Sequence, residues 1–146
     1  MYQSIFSRVE KKYLLDEEKY NLFMKKISKN IVKDKNYHST ICNLYLDTAN
    51  FDLVKQSIQK PLYREKFRIR SYNVPNLNDS IFFEVKKKYN QVVSKRRIKV
   101  KLSSVSDYLY NKKKIDNVEN EQILNELEYS VDKYKLIPKV YIAYER

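Results

Sequence analysis

The chain has 146 residues, with 30 Lys and Arg against 18 Asp and Glu, which gives a net charge of +12. This length fits one domain with its own core, and 14 tyrosines argue against a disordered chain. The chain has no glycine and one cysteine, which excludes glycine-dependent phosphate loops, an intrachain disulfide and a cysteine-cluster zinc site.

The positive charge is concentrated in the middle of the chain. The segment from Lys60 to Lys101 holds thirteen Lys and Arg but only three Asp and Glu. This excess predicts a polyanionic partner, namely nucleic acid, polyphosphate, a nucleotide or an acidic membrane. The alternative is a charged surface that serves solubility alone. Neither a signal peptide nor a membrane span is visible, so the expected location is the cytoplasm.

The first third of the chain predicts two strands and two helices. Alternating residues predict a strand over Ile5–Leu14, and Asp16 then caps a helix. The buried stripe predicted for this helix consists of Tyr20, Phe23, Ile27 and Ile31. A second strand covers Ile41–Asp47, and Thr48 caps a short helix that ends at Pro61. The inward residues predicted for the short helix are Phe51, Val54 and Ile58.

The next strand, Arg64–Tyr72, alternates between cations and apolar residues. Its cations fall on one face because strand side chains repeat every second residue. These cations are Arg64, Lys66, Arg68 and Arg70. Phe67 and Ile69 take the other face, and a turn follows over Val74–Ser80.

A predicted hairpin repeats this pattern. Its strands are Ile81–Lys88 and Val92–Leu102, joined through residues 89–91. In the first strand Glu84 and Lys86 share a face with Phe82, and Lys86 is the only member of the lysine run expected to matter. In the second strand the shared cationic face consists of Lys95, Arg97, Lys99 and Lys101, with Arg96 opposite as a surface charge.

The last third predicts two helical segments, near Val105–Asn111 and over Val118–Lys135. The second has Ile123, Leu127, Val131 and Tyr134 as its apolar stripe. A sixth strand covers Val140–Arg146, and it reaches the last residue without a cap or turn. We therefore expect further strands beyond this sequence.

Together these patterns predict an α+β domain in which helices cover the apolar outside of an antiparallel β-barrel. The cations would then point into the lumen. A dry interior of this kind would be strongly unfavourable. It becomes reasonable if the bore holds water, a multiply charged anion and a metal ion.

At these residues the sequence resembles the VTC-type polyphosphate polymerase domains, which are triphosphate tunnel metalloenzymes related to the CYTH triphosphatases. The segments that carry the resemblance follow the family's order over nearly the whole chain. They are Arg8–Tyr13, Asn43–Thr48, Lys60–Tyr72, Phe83–Lys86, Val93–Arg97 and Pro138–Arg146.

The resemblance implies an eight-stranded antiparallel tunnel that transfers the terminal phosphoryl group of ATP to polyphosphate with manganese or magnesium. It implies that the phosphate ligands are Lys12, Arg64, Lys66, Arg68, Arg70, Lys86, Lys95, Arg97 and Arg146. Among these, the catalytic residues would be Arg68, Arg70 and Lys86. Glu10 and Glu84 resemble acids that position metal or water, or they neutralise neighbouring cations.

The sequence also departs from the family. Residues 1–146 correspond to the N-terminal portion of a tunnel domain, with about six of the eight strands and without the family's main metal ligand. A missing C-terminal segment or another chain would complete the barrel. Enzymatic activity of this polypeptide is therefore an open question at this point.

Three other functions stay open from the sequence. One is a CYTH-type triphosphate or polyphosphate hydrolase, and another is a polyphosphate-binding domain without catalysis. The third is a nucleic-acid binding module without sequence specificity, since basic strands with aromatic residues suit single strands. Against it, Phe67, Phe83 and Tyr13 lie opposite the cations, where they cannot form a shared stacking surface.

Overall fold

The computed structural model describes residues 5–8, 13–32, 38–90 and 92–145. The elements are β1 (Ile5–Arg8), α1 (Glu17–Ile27), β2 (Thr40–Asp47), α2 (Asp52–Ile58), β3 (Tyr63–Tyr72), β4 (Ser80–Tyr89), β5 (Val92–Lys101), α3 (Leu102–Asn111), α4 (Glu121–Tyr134) and β6 (Ile137–Glu145). The strands form one antiparallel sheet in the order β1-β5-β4-β3-β2-β6. The predicted α+β class is confirmed.

The sheet is open within the part of the chain that the structure describes. β1 and β6 form its two edges, and they do not pair with each other there. The expected closure into a barrel is therefore not seen in these residues. The eight-stranded tunnel remains a prediction.

The hydrophobic core lies on one face of this sheet. Phe67 of β3 and Phe83 and Val85 of β4 are fully buried on that face. Helices α3 and α4 pack over it with Val105, Tyr108, Ile123, Leu124, Leu127 and Val131. Alternation along each strand thus separates an apolar face, covered by helices, from a face that carries the cations.

Turns in this glycine-free chain use other residues in the left-handed region. The β4–β5 hairpin turns at Asn90 (φ 52°), and Asn73 (φ 67°) ends β3. Asparagine adopts this conformation more readily than other non-glycine residues. Helices α3 and α4 end at Lys112 (φ 56°) and Lys135 (φ 51°), where glycine is usual.

The prediction that the apolar stripe of α1 is buried is wrong. Asp16 caps the helix as expected, since its carboxylate accepts the Lys19 N–H at 2.8 Å. However, α1 buries none of its residues, and Tyr20 and Phe23 are 51% and 49% exposed. Helical spacing indicates an apolar face but does not specify a partner for it, and within the described ranges no element packs closely on α1.

Helix α2 also differs from the prediction in its capping and its facing. Its first amides donate to the Asp47 carboxylate, from Leu53 N at 2.9 Å and Val54 N at 3.0 Å. Thr48 takes part as well, because its hydroxyl accepts the Asp52 N–H at 3.0 Å and donates to the Asp52 carboxylate at 2.6 Å. Leu53, rather than Phe51, Val54 or Ile58, packs against the core.

The division of the sheet into two faces can be tested in the core. Leu127 of α4 is fully buried, whereas Leu62 is 70% exposed. We expect Leu127→Ala to lower the free energy of unfolding by about 2–5 kcal/mol, because it leaves a cavity between α4 and the sheet. Leu62→Ala should change it by less than about 0.5 kcal/mol in the same urea titration. Equal losses in both variants would contradict this packing.

Candidate phosphate-binding site

The second face of the sheet, called the basic face below, gathers most of the predicted site residues. Its members on β3, β4 and β5 are Arg64, Lys66, Arg68, Arg70, Lys86, Lys95 and Arg97. The register of three neighbouring strands places them side by side, which a single strand's sequence does not specify. The predicted convergence of these residues is therefore present in the fold.

Three rows of cross-strand neighbours organise the basic face. The inner row is Arg68–Glu84–Arg97, the middle row is Lys66–Lys86–Lys95, and the outer row is Arg64–Lys88. Like charges directly opposite each other on adjacent strands are destabilising. Only the inner row has an acid between its cations.

Glu84, at the centre of the inner row, is the buried counterion of this face. Its side chain is 1% exposed. Arg68 Nε donates to Glu84 Oε2 at 2.7 Å, and the Lys95 Nζ lies 2.7 Å from Glu84 Oε1. Arg97 Nη1 lies 3.8 Å from the same oxygen. One carboxylate thus ties together cations from β3 and β5.

The charge state of Glu84 follows from two opposing effects. Burial alone would raise the pKa of the Glu84 carboxyl, but the charges and hydrogen bonds of Arg68 and Lys95 outweigh burial and lower it. For Arg68, burial lowers the pKa and the Glu84 carboxylate raises it, with a net rise. Both groups are therefore charged at neutral pH.

The pKa of Lys95 is shifted in the direction opposite to that of Arg68. Burial lowers the pKa of its ammonium most, and Arg97 and Arg68 lower it further, while Glu84 only partly compensates. The resulting pKa is about 8. An anion placed beside Lys95 would restore its full protonation, because a nearby negative charge favours the ammonium form.

Neutral partners orient two further guanidinium groups. Arg70 Nε donates to Asn43 Oδ1 at 2.9 Å, and Asn43 is buried on the neighbouring strand β2. The Arg97 guanidinium lies 4.3 Å from the centre of the Phe82 ring. The hydrogen bond to Asn43 fixes the geometry of Arg70 without cancelling its charge, which suits binding of phosphate oxygens.

A cavity of about 740 Å³ opens over the basic face beside α2. Six cations line it: Lys60, Arg64, Lys66, Arg68, Lys86 and Lys88. The remaining lining residues are Tyr45, Val54, Ser57, Ile58 and Val93, so no carboxylate lines it among the residues that the structure describes. Walls of low polarity with charges of one sign concentrate a positive potential inside such a cavity.

Seven of the predicted site cations lie on the basic face, and three predicted site residues lie outside the described part of the chain. Arg64, Lys66, Arg68 and Lys86 line the cavity, whereas Arg70, Lys95 and Arg97 lie on the same face outside it. Glu10, Lys12 and Arg146 lie outside the described residues. Their roles remain predictions.

Two cations of the cavity, Lys60 and Lys88, are not among the predicted site residues. Lys88 was expected not to matter, but it lines the cavity opposite Arg64. The period-two pattern itself could have placed Lys88 with Lys86 on this face. Lys60 follows a helix and precedes β3, so only the tertiary structure brings it to the cavity.

On the helix-covered face, cations are neutralised instead. Lys87 Nζ lies 2.5 Å from Glu126 Oε1 and 3.5 Å from Glu65 Oε1, which confirms that it points away from Lys86. The expectation for Arg96 as a surface charge is wrong, because its Nη1 lies 2.6 Å from Glu126 Oε2 and its side chain is largely buried. Glu126 belongs to α4, so these pairs join this helix to the sheet.

The geometry of Glu84 does not fit a divalent metal ion. Its two oxygens already contact Arg68, Lys95 and Arg97, and a metal would have to displace these cations. In the described ranges no three His, Cys, Asp or Glu side chains come together as metal ligands. Glu84 therefore fits the second role foreseen for it, that of neutralising its neighbours.

Comparisons with known proteins agree with this fold. A solved structure from Bacillus halodurans, described as a "putative adenylate cyclase", superposes with a TM-score of 0.55 at 15% identity. The superposition covers 97% of this chain and 63% of that protein, so the chain spans less than two thirds of its length. No curated protein matches the sequence. The likeness defines the class of fold alone, an α+β domain built on an antiparallel sheet.

The family follows from the sequence itself. The model of the VTC domain matches residues 7–146. The chain therefore belongs to the VTC domain family, and the resemblance seen in its motifs is confirmed. Among the described residues no helix has the length and apolar character needed to cross a membrane.

The role of Glu84 as buried counterion predicts the behaviour of Glu84→Gln. This change leaves Arg68 and Lys95 without their carboxylate, and we expect the free energy of unfolding to fall by about 3–5 kcal/mol. Added tripolyphosphate should raise the melting temperature of the variant more than that of the unchanged protein, because the anion replaces the lost charge. An equal rise in both proteins would contradict this role.

The lowered pKa of Lys95 predicts a pH-dependent affinity. Above its pKa of about 8 the free protein loses the Lys95 charge, whereas a bound anion favours that charge. Tripolyphosphate affinity should therefore fall about tenfold between pH 7 and pH 9. In Lys95→Arg, whose guanidinium stays charged, this fall should be absent. Because the ligand titrates identically in both experiments, the difference between the two proteins reports Lys95 alone.

Proposed function

We propose that this domain binds the phosphate groups of ATP, triphosphate and linear polyphosphate in the cavity on its basic face. The observation that carries the proposal is one cavity lined by six cations and by no described carboxylate. The middle row supports it further, because three lysines, Lys66, Lys86 and Lys95, stand side by side on neighbouring strands. An anion of several charges relieves the repulsion among them.

The proposed reaction is that of the VTC-type polymerases. The terminal phosphoryl group of ATP would move to the end of a polyphosphate chain, where a new P–O bond forms as the bond to the departing ADP breaks. Such transfers need positioning and neutralisation of charge on the peripheral oxygens more than a protein nucleophile. Arg68, Arg70 and Lys86 are the residues proposed for this task.

Each of these three residues has a distinct part in the proposal. Arg68 is held by Glu84 and donates from Nη1 to the Tyr45 hydroxyl at 3.4 Å, so its orientation is fixed before substrate arrives. Arg70 is oriented by Asn43 and keeps its charge for a phosphate further along the face. Lys86 stands at the middle of three cations, where a compact ammonium fits between phosphate oxygens.

The proposed domain includes strands beyond residues 1–146 that close the tunnel, supplied by a further segment or by another chain. The divalent ion expected for the family, manganese or magnesium, would neutralise charge on the reacting phosphates. The described residues offer no fitting ligand set for this ion. The cytoplasm is the proposed location.

The positions of the aromatic residues argue against a nucleic-acid binding module. Phe67 and Phe83 are fully buried in the core. Phe82 does lie on the basic face, but Arg97 covers its ring and Tyr72 packs against it edge-on at 6.2 Å. Stacking of bases requires open ring faces.

Binding measurements test the proposal. Tripolyphosphate should bind at least about tenfold more tightly than an oligothymidylate of equal formal charge, at low and at moderate salt. Lys66→Ala with Lys86→Ala should weaken tripolyphosphate binding at least about 100-fold, because it removes two cations from the middle row. Lys25→Ala with Lys26→Ala removes the same charge from exposed positions on α1 and serves as the matched control.

The outcomes separate the candidate functions. Loss of binding only in the cavity variant supports the phosphate site, and equal weakening in both pairs overturns it in favour of general electrostatics. Preference for the oligonucleotide would support the nucleic-acid module instead. Product analysis with ATP and manganese or magnesium then distinguishes chain growth, hydrolysis and binding without chemistry.

A further inference from the structure

The helix-covered face of the sheet carries a second set of charges directly behind the middle row of lysines. We propose that Glu126 of α4 is a positioning residue for the basic face, because it completes a chain of ion pairs that holds the middle row in place from the opposite side of the sheet. The inference rests on the proposed function, since it concerns how the same cations are arranged. It gives Glu126 a role beyond attaching α4 to the sheet.

The chain of ion pairs behind the sheet, called the rear network below, consists of Glu65, Lys87, Glu126 and Arg96. Lys87 Nζ lies 3.5 Å from Glu65 Oε1 and 2.5 Å from Glu126 Oε1. The other oxygen of Glu126 lies 2.6 Å from Arg96 Nη1. The rear network therefore joins β3, β4 and β5, the same three strands that carry the middle row.

The first argument is the place of the rear network in the chain. Each lysine of the middle row is covalently next to one of its members: Lys66 follows Glu65, Lys86 precedes Lys87, and Lys95 precedes Arg96. Neighbouring residues of a strand point to opposite faces of the sheet. A shift of a network member therefore also moves the backbone from which a middle-row lysine projects.

The second argument is the sign of the charges on the two faces. The middle row sets three lysines side by side on neighbouring strands, and like charges directly opposite each other destabilise a sheet. In the rear network the signs alternate, so each contact is attractive. Glu65 and Lys87 are a direct cross-strand pair, and Glu126 bridges Lys87 of β4 to Arg96 of β5. This attraction opposes the separation of the strands that the lysine repulsion favours.

The third argument is the burial of the rear network. Glu65 is buried, and the side chains of Lys87, Glu126 and Arg96 are each less than a third exposed. Burial lowers the pKa of the Lys87 ammonium, but its contacts with Glu126 and Glu65 outweigh burial and raise it, so Lys87 stays charged. Without Glu126, Lys87 and Arg96 would lose the carboxylate between them, and a buried cation without its partner is strongly unfavourable.

The test uses the direction in which charge alone would act. Glu126→Gln makes the protein more positive by one charge, so long-range electrostatics predicts tighter binding of tripolyphosphate. We expect the affinity to fall instead, by at least about fivefold in a titration at fixed ionic strength, because the middle row loses its geometry. Glu121→Gln removes the same charge from an exposed position of α4 and should change the affinity by less than about twofold.

Two further variants separate positioning from stability. Leu127→Ala removes a core contact of α4 next to Glu126 and leaves every charge in place, so its affinity should change by less than about twofold while it remains folded. Glu126→Asp keeps the charge on a shorter side chain and should regain part of the lost affinity. If Glu126→Gln does not fold, Glu126→Asp carries the test, with an expected loss of at least about twofold relative to the unchanged domain.

The outcomes distinguish this inference from the proposed function. Affinity of Glu126→Gln equal to or above that of the unchanged domain overturns the positioning role, while the proposed function stands. The same holds for Glu126→Asp where it carries the test. An equal loss of affinity in Leu127→Ala also overturns the role, because the effect then follows stability alone. If the unchanged domain does not bind tripolyphosphate, the proposed function fails together with this inference.

Discussion

The buried carboxylate of Glu84 is the contact on which the rest of the site depends. It lies on the central strand of the cationic region, and it reaches Arg68 on β3 and Lys95 on β5. Taking these charges out of water costs several kcal/mol each, and only close pairing with good geometry offsets that cost. Glu84 thereby permits arginines and lysines to stand side by side on three strands. In the rows further out, cations on β3 stand directly opposite cations on β4.

The two faces of the sheet treat their cations in opposite ways. On the helix side, Lys87 forms ion pairs with Glu126 and Glu65, and Arg96 forms one with Glu126. The pairs with Glu126 attach α4 to the sheet. On the other side the cations outnumber the acids, and the excess surrounds one cavity. The excess positive charge of the chain is therefore concentrated on one face of the sheet and is not spread over the whole surface. This arrangement concentrates a positive potential in one place, which suits the binding of multiply charged anions.

Much of this organisation can be predicted from the sequence, because alternate side chains of a strand point to the same face of the sheet. The pattern placed Arg68, Arg70 and Lys86 on one face, and the family motifs added their roles. Cross-strand register is not encoded in any single strand, so the contact between Glu84 and Lys95 could only be foreseen in outline. The predictions of a buried stripe on α1 and of the inward residues of α2 are wrong. Helical periodicity indicates which side of a helix is apolar, but it does not indicate what that side packs against. The described strands form an open sheet, so closure of the tunnel remains a prediction.

Strand β6 has a consequence for the behaviour of the domain in solution. In the described part of the chain it is an edge of the sheet, and it exposes Val140, Ile142 and Tyr144 by 42–45%. A long apolar edge invites pairing with another copy, and mutual repulsion at a net charge of +12 opposes that contact. Anions that fill the cavity reduce this repulsion. Where β6 stays an edge of the sheet, anion binding at the proposed site is therefore expected to favour self-association of the polypeptide.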